Sequence, residues 1–140
     1  MSTVAVVYWS GTGNTAAMAK AVEEGAANAG AEVSLFEVSE FSASDVSSYD
    51  AFAFGCPAMG AEELETDEFE PVWDECVSSF GTKPVGLFGS YDWGVGEWMD
   101  IWKDAAVDAG VNVVATVIAN NDPDDDEVAA CNELGETLAK

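Results

Sequence analysis

The chain has no histidine and no arginine, and its four lysines face 27 aspartates and glutamates, a formal net charge of −23 over 140 residues. Each absence excludes a class of chemistry. Without histidine there is no serine–histidine triad, no imidazole base and no histidine metal site. Four scattered lysines cannot assemble the phosphate-neutralising stripe of a nucleic-acid binder. An anionic membrane surface repels a chain of this charge. Cysteine is sparse: Cys56, Cys76 and Cys131 are odd in number, far apart and without C-x-x-C spacing. That reads as free thiols in a reduced cytosol, not as a disulfide framework or a metal site. The N-terminus shows neither a basic signal-peptide region nor a long apolar run. The expectation is a cytoplasmic protein whose partners include no nucleic acid, membrane or metal.

What is present is a core. At 49% hydrophobic and 11% aromatic, the chain does not carry the low-hydrophobicity signature of disorder, and its length suits one domain over residues 1–140. Five short apolar runs, 4–8, 33–36, 51–54, 85–88 and 113–118, are β-branched or aromatic and bounded by Gly, Pro, Ser or Asp, which reads as strands. The first, third and fourth are almost wholly apolar, as parallel strands covered on both faces are. The second includes Ser34, and the fifth includes Thr116 and follows Asn112, which suits sheet edges.

Helical stripes alternate with these runs. Met18, Ala21, Val22, Gly25, Ala26 and Ala29 fall on one face. So do Phe69, Val72, Trp73, Cys76, Val77 and Phe80, and so do Trp98, Ile101, Trp102, Ala105, Ala106 and Ala109. Gly30, Gly81 and Gly110 follow at once, suited to a left-handed C′ position. A last helix after Pro123 has Val128, Cys131, Leu134 and Leu138 on one face. The Ser-rich segment 38–50 has only a weak helical pattern. Such alternation predicts an α/β fold, a parallel sheet with helices on both faces, whose ligand sits outside the carboxyl ends of the strands.

Three loops there are chemically unusual. Ser10-Gly11-Thr12-Gly13-Asn14-Thr15 combines two glycines, four short hydrogen-bonding side chains and a helix N-terminus. Its N–H groups and helix dipole can hold a phosphate without lysine or arginine. Gly11-x-Gly13-x-x-Ala16, with Glu37 at the end of the second strand, also satisfies a loose dinucleotide fingerprint, although no P-loop lysine follows. Gly55-Cys56-Pro57-Ala58-Met59-Gly60-Ala61-Glu62 follows the third strand. Met59 is a soft side chain able to lie on a flat ring, Gly60 allows a peptide flip, and Glu62 can accept from a ring N–H. Taken singly, Met59 suits satellite packing and Glu62 a solvated or capping acid. Ser90-Tyr91-Asp92-Trp93-Gly94 follows the fourth strand. Trp93 lies outside any periodic pattern, where an aromatic can stack on a flat ligand, whereas Trp98 reads as core.

These motifs, in order and over essentially the whole chain, resemble the short-chain flavodoxins. The resemblance implies a flavodoxin-like doubly wound three-layer sandwich with a five-stranded parallel sheet of order 2-1-3-4-5, and noncovalently bound FMN. It places Ser10, Gly11, Thr12, Gly13, Asn14 and Thr15 around the phosphate, Met59 on the inner flavin face and Trp93 on the outer face. It gives Gly60 the carbonyl that turns toward flavin N5 on reduction, and Glu62 the bond to the pyrimidine N3–H. Pro57, Ala58, Ser90, Tyr91, Asp92, Gly94 and Asn121 join the cofactor-binding set, and Asn120 lies near the ring edge. Asp92 departs from the subgroup's usual glycine and adds charge near the ring. Ala61 replaces a commonly polar neighbour.

The function implied is a low-potential one-electron carrier, cycling between semiquinone and hydroquinone, with no catalytic residues of its own. It would be a monomer serving basic-surfaced redox proteins such as reductases and oxidoreductases, steered by the negative surface. Solubility or salt adaptation accounts for the same acidity. Two alternatives stay open: a small FMN- or NAD(P)H-dependent oxidoreductase, and a non-redox binding module on the same fold. A receiver-type module would need aspartates where Tyr8 and Phe54 stand.

Overall fold

A computed structural model describes residues 3–9, 13–58, 68–91, 96–120 and 123–139. The elements run β1 (Thr3–Tyr8), α1 (Asn14–Asn28), β2 (Glu32–Glu37), β3 (Ala51–Gly55), α2 (Phe69–Cys76), β4 (Pro84–Tyr91), α3 (Glu97–Asp108), β5 (Asn112–Asn120) and α4 (Asp125–Leu138). The five strands form one sheet of order β2-β1-β3-β4-β5, parallel at every junction. The expected architecture is therefore observed, and the two strands with polar positions lie at the edges.

Two apolar layers sandwich the sheet, sorted by the two-residue period of the strands. Val4 and Val6 face Met18, Val22 and Ala26 of α1 and Cys131, Leu134 and Leu138 of α4. Ala5 and Val7 face the layer that holds Trp73 of α2 and Trp98 and Trp102 of α3. β3 shows the division most clearly. Its alanines, Ala51 and Ala53, belong to the α1/α4 layer and its phenylalanines, Phe52 and Phe54, to the α2/α3 layer. The rings there meet mostly edge-on: Phe54 lies 5.2 Å from Trp73, and Trp73 lies 5.4 Å from Trp102. Each such pair adds about 0.5–1.5 kcal/mol beyond its buried area. On the other side α1 and α4 approach backbone to backbone. A Cβ on Gly25 would collide with the Asn132 carbonyl, and one on Gly135 with the Val22 carbonyl.

Segment 38–50 resolves into two short 3₁₀ turns, Val38–Glu40 and Ala43–Ser48. One of the four lysines holds it down. Lys83 Nζ donates to the carbonyls of Val46 (3.1 Å) and Tyr49 (2.7 Å) while lying over the Phe52 ring.

Several boundaries differ from expectation. α2 ends at Cys76, so Phe80 is buried from the turn beyond the helix. The expected stripe on α3 is rotated: Trp98, Met99, Trp102 and Ala106 are buried, whereas Ile101 is 60% exposed and Ala105 and Ala109 face solvent. Turning Ile101 inward would withdraw Met99 and Ala106, so the two indoles set the azimuth. Gly30, Gly81 and Gly110 do adopt positive φ, at 97°, 60° and 91°.

The three cysteines are free and buried. Burial pushes the Cys76 and Cys131 thiols up to about 12, with nearby carboxylates adding to the effect. Both groups then stay protonated in the fold when an unfolded chain, with thiols near about 8.5, has already ionised. Stability should thus be unaffected by these groups below about pH 8.5 and fall as pH rises toward 12. Iodoacetamide at pH 8 should leave Cys76 and Cys131 unlabelled in native protein and label them in urea, read by mass spectrometry. Gly135→Ala would gain about 1 kcal/mol from helix propensity alone. The overlap with Val22 should reverse this, for a net loss of about 1–3 kcal/mol in urea unfolding.

Candidate functional site

The carboxyl ends of β1, β3 and β4 are adjacent, with Tyr8 beside Gly55 and Gly55 beside Phe88. β4 overshoots them. It continues to pair with β5 through Ser90–Ala119 and Tyr91–Asn120, and Asn120 Nδ2 donates to the Tyr91 carbonyl at 3.3 Å. Ser90 and Tyr91 are therefore strand residues, not the loop residues expected from sequence, because the longer β5 extends the ladder. Asn120 likewise ends β5 instead of entering a loop.

The main chain above the sheet is laced across this rim. Trp9 N donates to the Gly55 carbonyl (3.0 Å), Cys56 N to that of Phe88 (3.0 Å) and Ala58 N to that of Ser90 (2.9 Å). Pro57, which has no N–H to offer, sits between the last two. Trp98 braces the same stretch from below: its Nε1 donates to the Cys56 carbonyl at 3.3 Å. A Cβ on Gly89 would overlap that carbonyl, so glycine there gives the segment room.

α1 begins at this rim. Gly13 caps it in the left-handed conformation (φ 96°), and the Ala17 N–H closes the first turn on the Gly13 carbonyl at 3.0 Å. The first turn of α1 holds no acid, whereas Glu70 stands in that of α2, Glu97 and Asp100 in that of α3, and Asp125, Asp126 and Glu127 in that of α4. No carboxylate in that first turn competes for the positive dipole end of α1, which suits an external anion. Thr15, on that turn, is buried and shares a 3.0 Å hydroxyl–hydroxyl hydrogen bond with buried Ser90. Only one of the two protons enters that bond, so the pair retains a donor for a third group.

On the β2 side the surroundings are acidic. Trp9, Glu37, Val38, Ser39 and Glu68 line a cleft of about 220 Å³, and the Trp9 indole donates to Glu68 Oε1 at 3.1 Å. Burial first, then Glu37 and Glu40, push the Tyr8 phenol above its ordinary range, which keeps it a neutral donor. Glu37 is engaged in a reciprocal cap with Glu40, which does not favour its use as the ribose acid of a dinucleotide site.

Of the residues singled out from sequence, Gly13, Asn14, Thr15, Pro57, Ala58, Ser90 and Tyr91 lie at one rim, where hydrogen bonds tie Thr15 and Ala58 to Ser90. Ser10, Gly11, Thr12, Met59, Gly60, Glu62, Asp92, Trp93, Gly94 and Asn121 lie outside the described residues. Three contributors were not anticipated: the Thr15–Ser90 pairing, the Trp98 brace and the Asn120 clamp. Their partners lie 75, 42 and 29 residues away, beyond the reach of local pattern.

The sequence profile described as Flavodoxin matches residues 6–135. The chain belongs to the flavodoxin family. It is 48% identical over 137 residues to the flavodoxin of Megasphaera elsdenii, covering 98% of each chain. It is 41% identical over 135 residues to that of Clostridium beijerinckii, covering 96% of this chain and 97% of the relative. The solution structure of two-electron reduced Megasphaera elsdenii flavodoxin matches the fold with a TM-score of 0.90, covering 97% of this chain and 98% of that one.

Flavodoxins are electron-transport flavoproteins that bind FMN, and FMN is the cofactor of this chain. The described residues fit its anionic end: a helix N-terminus capped by Gly13, free of acids in its first turn, with a buried threonine hydroxyl beside it. If the Thr15 hydroxyl serves the phosphate, Thr15→Val should weaken FMN binding about tenfold or more, the scale of one hydrogen bond to a charged group. Ser90→Ala, which removes only the orienting partner, should cost less. Fluorescence titration with FMN checks both.

Proposed function

We propose that the chain is a low-potential one-electron carrier that works its FMN between semiquinone and hydroquinone and exchanges electrons with basic-surfaced redox proteins such as reductases and oxidoreductases. The observation that carries this reading is the acid-free, Gly13-capped start of α1 at the rim, in a chain of net charge −23. An anion can be held there by main chain and hydroxyls, with no need of cationic side chains. When bound, FMN supplies reversible electron uptake at its ring system, and the protein tunes that uptake.

In this reading Ser10, Gly11, Thr12, Gly13, Asn14 and Thr15 hold the phosphate. Met59 and Trp93 flank the ring, Glu62 accepts from its pyrimidine edge, and Pro57, Ala58, Ser90, Tyr91, Asp92, Gly94 and Asn121 complete the surround. Gly60 presents its carbonyl to the protonated N5, a bond available only after the first electron and proton arrive. The surrounding negative charge opposes the second electron. The protein turns over no substrate of its own and works as a single-domain cytoplasmic monomer. Its acids raise the encounter rate with basic partners and make it salt-dependent.

Purified protein should be yellow, with its flavin fluorescence quenched by stacking. A colourless protein that takes up no added FMN sinks the proposal. In a redox titration the unaltered protein should accumulate a blue semiquinone, and Gly60→Val should accumulate less because the flipped peptide favours glycine. Reduction of the unaltered protein straight to hydroquinone would overturn the role given to Gly60.

A further inference from the structure

The rotation of α3 leaves an unusual outer face. Among the described residues, the exposed large aliphatics are Ile101 (60%), Val107 (51%) and Val114 (38%), all on α3 and β5. Ile101 is surrounded by charge of one sign. Glu97, Ile101, Asp104 and Asp108 recur at i, i+4, i+7 and i+11 and so lie along one line of the helix, with Asp100 beside them. All four acids are exposed, and Lys103 is the one cation on the helix. A lone exposed aliphatic is ordinary, but an apolar centre within a charged rim has the anatomy of a protein interface.

We propose that the outer face of α3, centred on Ile101, is the docking surface for a protein partner whose own patch is apolar at its centre and ringed by lysine or arginine. The inference rests on the electron-carrier reading. Charge complementarity selects the occupant. A second copy of this chain would bring Asp100, Asp104 and Asp108 against acids of a molecule that also carries −23. Strand addition at the β5 edge is opposed by the register shift between Val85 and Gly86, across which Val114 of β5 is passed over in the pairing. Position also favours the face. α3 starts directly beside the rim, and Ile101 lies about one helical turn, some 6 Å, along the axis from Glu97. A partner covering Ile101 therefore brings its own redox centre close to the FMN site. The labour divides: the acids speed encounter, and the isoleucine prolongs it.

The test uses the FMN-loaded full chain, reduced, with an oxidised lysine-rimmed c-type cytochrome as probe, followed by stopped flow over a range of salt. Ile101→Ser should lower the second-order rate constant about tenfold, the scale of one interface anchor, and leave the salt dependence unchanged. Ile101→Leu should restore the rate. The triple change Asp100→Asn, Asp104→Asn, Asp108→Asn should slow the reaction and flatten its salt dependence. An equal loss of charge on the opposite layer, through Glu24→Gln, Glu133→Gln and Glu136→Gln, should change the rate less than about twofold. Because Ile101 is exposed, melting temperatures should match the unaltered chain. Equal rates with and without the α3 changes, or equal effects of the two triple variants, overturn the docking surface and leave the carrier reading intact. A chain that binds FMN but passes no electrons to the cytochrome overturns both. Sedimentation as a dimer that Ile101→Ser disperses replaces the basic partner with a second copy.

Discussion

An anion has to be held by a protein that carries 23 excess negative charges and has no arginine or histidine. In the proposed site no cationic side chain takes part, so the positive potential would come from the main chain. A helix N-terminus is the one concentrated source, and it works only if no resident carboxylate competes for it. Three of the four helices place acids in their first turns, which offsets their own dipoles. α1 alone of these does not. The turn from β1 into α1, with Gly13 at φ 96°, is the consequence. Thr15 on the next residues has to be buried because the turn lies against the sheet's carboxyl end, and once buried its hydroxyl needs Ser90.

The rest of the architecture keeps that rim in register. A parallel sheet directs every helix N-terminus to one side, so the sites that can serve a ligand gather there. The unequal layers support it differently. On one side α1 and α4 pack through Gly25 and Gly135 with alanines of β3 beneath them, which fixes α1 closely on the sheet. On the other, phenylalanine and tryptophan rings fill the space over α2 and α3 and carry a brace upward, from the Trp98 indole to the Cys56 carbonyl. A disturbance in either layer would reach the rim: one through the height of α1, the other through the segment around Pro57.

The acidity acts at two ranges. Close to the rim it appears as Glu37 and Glu40, which add to burial in raising the Tyr8 phenol, and as Glu68, which accepts from the Trp9 indole. Further out it covers the solvent faces of α2, α3 and α4, where screening limits its reach to about 8–10 Å at ordinary ionic strength. The electron-transfer reading makes use of both ranges, the first on the cofactor's environment and the second on the approach of partners.

Much of this was determined by the sequence alone. The alternation of apolar runs and helical stripes is a local property, and it dictated the element order and the parallel class. Polar Ser34, Asn112 and Thr116 marked the edge strands, and Gly30 and Gly110 marked the ends of α1 and α3, whereas α2 stops at Cys76, short of Gly81. A candidate phosphate loop could be proposed from sequence because its residues are contiguous. What only the tertiary structure decided depends on partners distant in the chain. β4 runs to Tyr91 because β5 is there to pair with it. α3 turns Met99 inward and Ile101 outward because Trp98 and Trp102 must enter one aromatic layer, and a stripe of six apolar positions is too broad to reveal which edge will be covered. Thr15 meets Ser90 across 75 residues, and Glu37 is drawn into a cap with Glu40 by a turn whose helical pattern is weak. Periodicity reports which face a residue shares with its neighbours; packing and strand register then choose where that face points.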